Sequence, residues 1–134
     1  MRMDYVVGDF MTIDPVVISP SAGIDEAARV LQAFEVSGLP VVDDDGRLLG
    51  VISQTDLLQA GDRGTRRLSS ASAVPRVADV MSSPPISVTM LTPLTEAARA
   101  MRENAVHRVV VVDEAGHAIG VLSSMDFVAL YAEG

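Results

Sequence analysis

Several residue types are missing or scarce in this chain, and each absence removes a class of chemistry. There is no cysteine among the 134 residues, so disulfides and thiolate metal sites are excluded. There is no lysine either, because all ten basic residues are arginine, and this excludes a Schiff-base lysine and a P-loop. With no tryptophan, three phenylalanines and two tyrosines, the core has to be built from aliphatic residues and methionine. No apolar run approaches the roughly 18 residues that cross a bilayer, so we expect no membrane partner.

The charge balance and the polar inventory narrow the function classes further. A net charge of −8 argues against a general nucleic-acid surface, because such binding depends on neutralising phosphates. Two histidines and no HxxxH spacing leave metal binding and catalysis poorly supplied, so we expect no metal, no cofactor and no enzyme activity. The N-terminus lacks a signal-peptide pattern, and together with the absence of cysteine this predicts a cytoplasmic protein.

The sequence contains an internal repeat with a period of 70 residues. Residues 7–58 align with residues 77–128 without a gap, and 17 of the 52 pairs are identical. Two copies are too few for a solenoid, so we expect one compact unit of two like halves, in which a cleft at the join occurs twice. The identical pairs include Met11/Met81, Pro15/Pro85, the runs 26–29 and 96–99, Val41-Val42-Asp43 and Val111-Val112-Asp113, Gly46/Gly116, Gly50/Gly120, Ser53/Ser123 and Asp56/Asp126.

Each half reads as β-α-β-β-α, which predicts a mixed α/β (α+β) fold. Apolar residues at helical spacing predict the long helices, and continuous apolar runs predict strands that are covered on both faces. Residues 60–76 are rich in Gly, Ser and Arg and are predicted to be a linker between domains at 7–59 and 77–131. The first half has predicted strands at 16–18, 39–42 and 48–52, a helix at 24–36 and a helix from Thr55; the second has strands at 86–88, 109–112 and 119–122, and helices at 94–104 and 125–131.

The strongest candidate for a site is the pattern Gly-h-h-Ser-x-x-Asp, where h is apolar, which occurs at Gly50–Asp56 and again at Gly120–Asp126. It places a hydroxyl at the end of a strand and a carboxylate at the start of a helix, where free N–H groups and the helix dipole favour anions. The carboxylate could accept two hydrogen bonds from a diol such as a ribose. The alternative is that the serine and the aspartate only cap the helix.

The repeat, both copies of this pattern and the phrase Gly38–Asp43 resemble a tandem pair of cystathionine-β-synthase (CBS) domains, known as a Bateman module. The resemblance covers the chain from about Val7 to Leu130. It implies two repeats packed about a pseudo-two-fold axis, adenosine-containing ligands in the clefts between them, a regulatory role and a homodimer.

The resemblance also implies two unequal ligand clefts. His107-Arg108 resembles a pair that meets phosphate in regulatory γ subunits of the AMP-activated kinase, and the second cleft has Ser37-Gly38 in its place. The first cleft is therefore expected to be tighter for a phosphorylated ligand. It would combine Ser53, Thr55 and Asp56 with Pro85, Ile86, His107 and Arg108; the other would combine Ser123 and Asp126 with Pro15, Val16, Ser37, Gly38 and Pro40.

The resulting interpretation is a non-catalytic sensor of AMP, ADP, ATP or a related ligand such as S-adenosylmethionine or NAD, which regulates an unidentified protein. A dimer surface is expected on the exposed faces of two helices, although some of their residues must belong to the core: Ala97, Ala98, Ala100 and Met101 on one, and Phe127, Leu130 and Tyr131 on the other. One alternative is a protein-interaction module that binds no nucleotide. A nucleic-acid binder that acts through the linker arginines, and an enzyme, are weaker alternatives because of the acidic charge and the lack of a nucleophile with a base.

Overall fold

The computed structural model describes residues 4–67 and 75–133, with side chains for residues 4–60 and 75–132. A 3₁₀ turn at Val7–Asp9 precedes the first strand. The strands are β1 (Thr12–Ile13), β2 (Gly38–Val42), β3 (Leu48–Ser53), β4 (Ser87–Val88), β5 (Arg108–Val112) and β6 (Ala118–Ser123), and the helices are α1 (Ile24–Phe34), α2 (Gln54–Arg67), α3 (Val77–Val80), α4 (Leu94–Glu103) and α5 (Ser124–Glu133).

The chain divides into two compact units. One of them is a single continuous segment, Val16–Pro85. Its β2 and β3 form an antiparallel hairpin closed by a turn in which Gly46 has a φ of 87°. All five residues of β2 are buried, as a continuous apolar run requires. One aliphatic cluster forms the core of this unit: Ile18, Ala27, Leu31, Leu39, Val41, Ile52 and Val77.

The other unit combines Met1–Pro15 with Ile86–Gly134, and we call it the split unit. Its four-stranded sheet has the order β1-β6-β5-β4, with β5 antiparallel to β6 and parallel to β4. Its core is again aliphatic with one methionine, as the scarcity of aromatic residues predicts: Val7, Leu94, Ala97, Met101, Val109, Val111, Leu122 and Leu130.

The boundaries of the two units differ from the boundaries of the two repeats. Val7 belongs to the first repeat, yet it is fully buried in the core formed by the second repeat. Val77 opens the second repeat and is fully buried in the core formed by the first. Each repeat therefore gives its first segment to the unit of the other repeat. The predicted domain limits at 7–59 and 77–131 stay predictions.

The strand predicted at 16–18 is reduced to one parallel bridge between Ile18 and Val41. Ile18 donates to the carbonyl of Pro40, but Pro40 has no N–H with which to extend the ladder. At the equivalent position in the split unit, Val110 does donate, to Ile86 O at 3.4 Å, and β4 pairs with β5. One residue thus explains why the second copy of this strand forms and the first does not.

The predicted linker at 60–76 begins inside a helix, because α2 continues to Arg67. Residues 68–74 of that prediction lie outside the described residues. None of the helices in the described ranges combines the length and the apolar character that crossing a membrane requires.

Candidate ligand-binding site

The Ser53–Asp56 turn joins β3 to α2 and is held by four hydrogen bonds to Asp56. Ser53 donates its backbone N–H and its hydroxyl to Asp56 Oδ2, both at 2.9 Å, and Asp56 N donates back to Ser53 Oγ at 3.2 Å. Asp56 Oδ1 accepts a hydrogen bond from Ser82 Oγ at 3.0 Å. The two bonds donated by the backbone N–H groups of Ser53 and Asp56 satisfy donors that would be unpaired at the start of a helix. The capping alternative from the sequence is therefore an observed property of this turn.

The Ser123–Asp126 turn, between β6 and α5, repeats the two hydrogen bonds that its serine donates to the aspartate. Ser123 donates its backbone N–H to Asp126 Oδ2 at 2.7 Å and its hydroxyl to the same oxygen at 3.3 Å. The hydrogen bonds from the serine fix the orientation of each carboxylate. Because Asp56 and Asp126 are only half-buried, part of each side chain remains accessible. A carboxylate held in this way can accept further hydrogen bonds from a ligand without losing side-chain entropy.

Sequence reasoning missed Ser82, which is 26 residues away from the aspartate that it contacts. Ser82 and Val51 exchange two backbone hydrogen bonds, at 2.9 and 3.1 Å, and this places the serine beside the turn. The available signal was the alignment, in which Ser82 matches Thr12, so both repeats have a hydroxyl at this position.

Gly50 in β3 and Gly120 in β6 allow a neighbouring segment to pass close to each strand. A Cβ on Gly50 would lie 2.8 Å from Ser82 O and from Met81 Sδ. A Cβ on Gly120 would lie 2.9 Å from Thr12 O and 3.0 Å from Met11 Sδ. The same glycine and the same methionine therefore occur in both repeats for one reason. In each repeat, a neighbouring segment crosses the strand that leads into the Ser-x-x-Asp turn.

Within each unit, the structure brings together residues that the sequence assigned to two different clefts. Ser53 pairs with Gly38 across the hairpin, and the carbonyl of Ser37 accepts from Gln54 N at 2.9 Å. The same holds in the split unit, where Arg108 pairs with Ser123 and the carbonyl of His107 accepts from Ser124 N at 2.8 Å.

Arg108 at the start of β5 lies directly opposite Ser123, the first residue of the Ser123–Asp126 turn. Directly opposed residues on antiparallel strands project to the same face, so the side chains of Arg108 and Ser123 share a face. Burial lowers the pKa of the Arg108 guanidinium, since desolvation disfavours its charged form. A phosphate would offset that cost through charge-assisted hydrogen bonds to a planar, bidentate donor.

The remaining candidate residues divide between the units. Thr55 is exposed in the first turn of α2, and Pro40 is buried in β2. The others are half-buried at the ends of their segments: Val16 and Pro85 in the Val16–Pro85 unit, and Pro15 and Ile86 in the split unit. That these residues contact a shared ligand stays a prediction.

No group of three or more His, Cys, Asp or Glu side chains that could hold a metal ion occurs within residues 4–67 and 75–133.

The fold and the repeated turn define a tandem-repeat α/β module, and comparison with known proteins identifies its family. The family model of the CBS domain matches residues 7–63 and again residues 77–133. The chain therefore belongs to the CBS domain family, as the sequence predicted. The CBS domain is a regulatory module and not a catalytic one.

Three relatives illustrate the likeness. CBSX2, a chloroplastic CBS domain-containing protein of Arabidopsis thaliana, is 34% identical over 143 residues, which cover 89% of this chain and 60% of CBSX2. Its crystal structure in complex with AMP matches with a TM-score of 0.86 at 37% identity and covers 96% of this chain and 97% of that chain. The chain thus spans about 60% of the length of that curated relative.

The other two relatives cover nearly the whole chain. A CBS domain-containing protein of Dictyostelium discoideum is 31% identical over 134 residues, or 96% of this chain and 92% of that protein. The CBS domain pair of protein MJ0100, solved with 5′-methylthioadenosine and S-adenosyl-L-methionine, matches at 25% identity with a TM-score of 0.83, over 94% of this chain and 98% of that chain.

Proposed function

We propose that this chain is a non-catalytic regulatory module that binds an adenosine-containing nucleotide, such as AMP, ADP or ATP, at its Ser-x-x-Asp turns. The observation that carries the proposal is the fixed carboxylate at the start of α2 and of α5, which in both turns accepts from the backbone N–H and the hydroxyl of the serine three residues before it. The relative CBSX2, which has been solved with AMP, supports the choice of ligand. S-adenosylmethionine and NAD share the adenosine group and belong in the same class.

The proposed roles follow from the chemistry of the side chains. Asp56 and Asp126 would accept hydrogen bonds from the two hydroxyls of a ribose, because an ionised carboxylate offers only acceptors. Arg108 would bind phosphate oxygens, with His107 beside it. The regulated target would be another protein, which would respond to a ligand only if the ligand binds two states of the module with different affinity.

Thermal unfolding of the pure protein with a ligand panel tests the proposal. The panel contains AMP, ADP, ATP, S-adenosylmethionine, NAD and a guanosine analogue at one fixed salt concentration. A ligand present at about 100 times its dissociation constant should raise the unfolding free energy by about 2.7 kcal/mol. We expect a shift with adenosine compounds that shrinks in Asp56→Ala and in Arg108→Ala, and no shift with any ligand at millimolar concentration would contradict the proposal.

We also propose that the module forms a homodimer, and this proposal rests on α5. Met125, Val128 and Tyr131 are 69%, 54% and 67% exposed and recur every third residue, so they lie along one face of the helix. Several residues considered for a dimer surface lie in the core of the split unit instead: Ala97, Met101 and Leu130, with Phe127 packed against them.

Sedimentation equilibrium tests the dimer, with Val128→Glu as the disrupting variant and Glu114→Gln on a distant turn as the control. We expect a dimer that dissociates in Val128→Glu alone. A monomer for the wild-type chain at high micromolar concentration would refute it. An α5 surface that binds another protein with no nucleotide effect would favour the interaction-module alternative.

The cytoplasm is the proposed location. Its support is the cysteine-free composition, which suits a reducing compartment. Cell fractionation tests it, and recovery in an organelle, as the name of the chloroplastic relative CBSX2 would suggest, contradicts it.

A further inference from the structure

The two Ser-x-x-Asp turns differ at one carboxylate oxygen. Asp56 Oδ1 accepts a hydrogen bond from the hydroxyl of Ser82 at 3.0 Å. Thr12 occupies the equivalent place beside the other turn, yet in the described part of the chain no hydrogen bond joins it to Asp126. In both turns Oδ2 is occupied by the serine of the same turn. Among the described residues, Oδ1 is therefore held by Ser82 in the Asp56 turn, whereas Thr12 does not hold it in the Asp126 turn.

We infer that Ser82 is an internal competitor for a ligand diol, so that the Asp126 turn binds a neutral nucleoside more tightly than the Asp56 turn. This inference rests on the proposed function and adds an order of affinity to the two turns. At Asp126 the diol has no hydrogen bond from Thr12 to displace. At Asp56 the diol has to share Oδ1 with the Ser82 hydroxyl or displace it.

The position of Ser82 is set by its backbone. Two hydrogen bonds with Val51 fix the residue, and the missing Cβ of Gly50 lets its carbonyl approach the strand. Ser82 is itself exposed, so its displaced hydroxyl can donate to water. The competition thus amounts to one net hydrogen bond, which corresponds to about a two- to tenfold change in affinity.

A neutral nucleoside separates this effect from phosphate recognition. Arg108 is expected to act on phosphorylated ligands, and its contribution would obscure that of Ser82 if AMP were the probe. Adenosine keeps the diol and lacks the phosphate. Its analogue 2′,3′-dideoxyadenosine lacks the diol as well, so it should be indifferent to Ser82.

Calorimetric titration of adenosine into the full chain tests the inference. Asp126→Asn weakens the second turn and leaves the Asp56 turn to be measured. In this background, adding Ser82→Ala should tighten adenosine binding about two- to tenfold. Adding Thr12→Ala, the matched control, should change the affinity less than twofold, and dideoxyadenosine should show no Ser82 effect.

The outcomes separate the inference from the function on which it rests. Equal adenosine affinity with and without Ser82→Ala overturns the inference and leaves the nucleotide proposal standing. Failure of both adenosine and AMP to bind the folded wild-type chain overturns both. Circular dichroism checks the fold of each variant, and Ser82→Cys, a weaker donor of similar size, provides a second variant that should also tighten binding.

Discussion

Ser53 and Asp56 have a structural role whether or not a ligand is present. The hydroxyl of Ser53 both donates to the carboxylate of Asp56 and accepts from its N–H, so one side chain satisfies two groups at the start of α2. Polar groups in such positions cost free energy when their partner is removed. The binding role and the capping role therefore have to be separated by experiment.

We predict that Ser53→Ala lowers the free energy of unfolding by about 1 kcal/mol, the usual effect of losing a side chain that caps a helix. Urea unfolding followed by circular dichroism measures it. Gln54→Ala, at the adjacent exposed position, is the control and should stay within about 0.5 kcal/mol of wild type. An equal loss in both variants would show that the cap contributes nothing.

At this scale the sequence predicts the turns but not all of their partners. Ser53 and Asp56 lie three residues apart, so their relation is local and visible in the pattern. Ser82 reaches the same carboxylate through a bridge to Val51, and such a contact depends on how the chain folds back. The sequence therefore predicts unequal clefts from His107-Arg108 against Ser37-Gly38, and it does not predict the contribution of Ser82.

The two hairpin turns have the same hydrogen-bonding pattern around an aspartate, but the last residue of the turn is Arg47 in one and His117 in the other. In the β5–β6 turn, Asp113 Oδ1 accepts from the backbone N–H of His117 at 2.8 Å and of Ala115 at 3.0 Å, and Oδ2 contacts the His117 ring at 3.0 Å. In the β2–β3 turn, Asp43 Oδ1 accepts from Asp45 N and Arg47 N, both at 2.9 Å.

These bonds favour the ionised carboxylates. The backbone N–H of His117 holds the pKa of Asp113 below its usual range, and the backbone N–H of Arg47 does the same for the pKa of Asp43. A carboxylate with a lowered pKa in the folded state stabilises the fold above its unfolded pKa, about 3.9, and loses this contribution as the pH falls through the folded pKa.

We predict that wild-type stability declines as the pH falls below about 4, and that Asp113→Asn flattens the decline because asparagine does not titrate. Urea unfolding at intervals from pH 7 to pH 3 measures the slope. Asp44→Asn makes the same charge change in the other hairpin turn and is the control for the loss of one negative charge. An unchanged slope in Asp113→Asn would contradict the account.

At the scale of helices and strands, the sequence predicts an element correctly when the cause of that element lies within its own segment. Buried β2 and β5 follow from continuous apolar runs, and the helical spacing of apolar residues predicted α1 and α4. The strand expected at 16–18 was wrong because its ladder needs an N–H from Pro40, a residue on another strand. The end of α2 was missed because glycines and serines near residue 60 resemble a linker.

At the scale of the whole molecule, sequence repeats and compact units differ. The repeat boundaries cut each unit, since Val7 and Val77 are buried in the core that the opposite repeat forms. Sequence similarity detects copies of a segment, whereas packing decides which copy a segment joins. This exchange could not be predicted from a pattern that is the same in both halves.

We predict that a fragment of residues 16–85 unfolds cooperatively, while a fragment of residues 7–63 does not. The first keeps Val77 and the bridge between Val51 and Ser82, and the second loses both. Thermal unfolding by circular dichroism compares the two. Cooperative unfolding of the 7–63 fragment, with a disordered 16–85 fragment, would contradict the assignment of the units.

The central claim is that the repeated Ser-x-x-Asp turns bind an adenosine nucleotide. Its most direct test is calorimetric titration of AMP into the wild-type chain and into an Asp56→Asn/Asp126→Asn variant, whose amides can still accept the capping hydrogen bonds. We predict saturable binding to the wild type and at least about a tenfold weaker affinity in the variant, since hydrogen bonds to charged groups contribute about 1.5–3 kcal/mol. Equal affinity in the two proteins, or no saturable binding to the wild type at millimolar AMP, would contradict the claim.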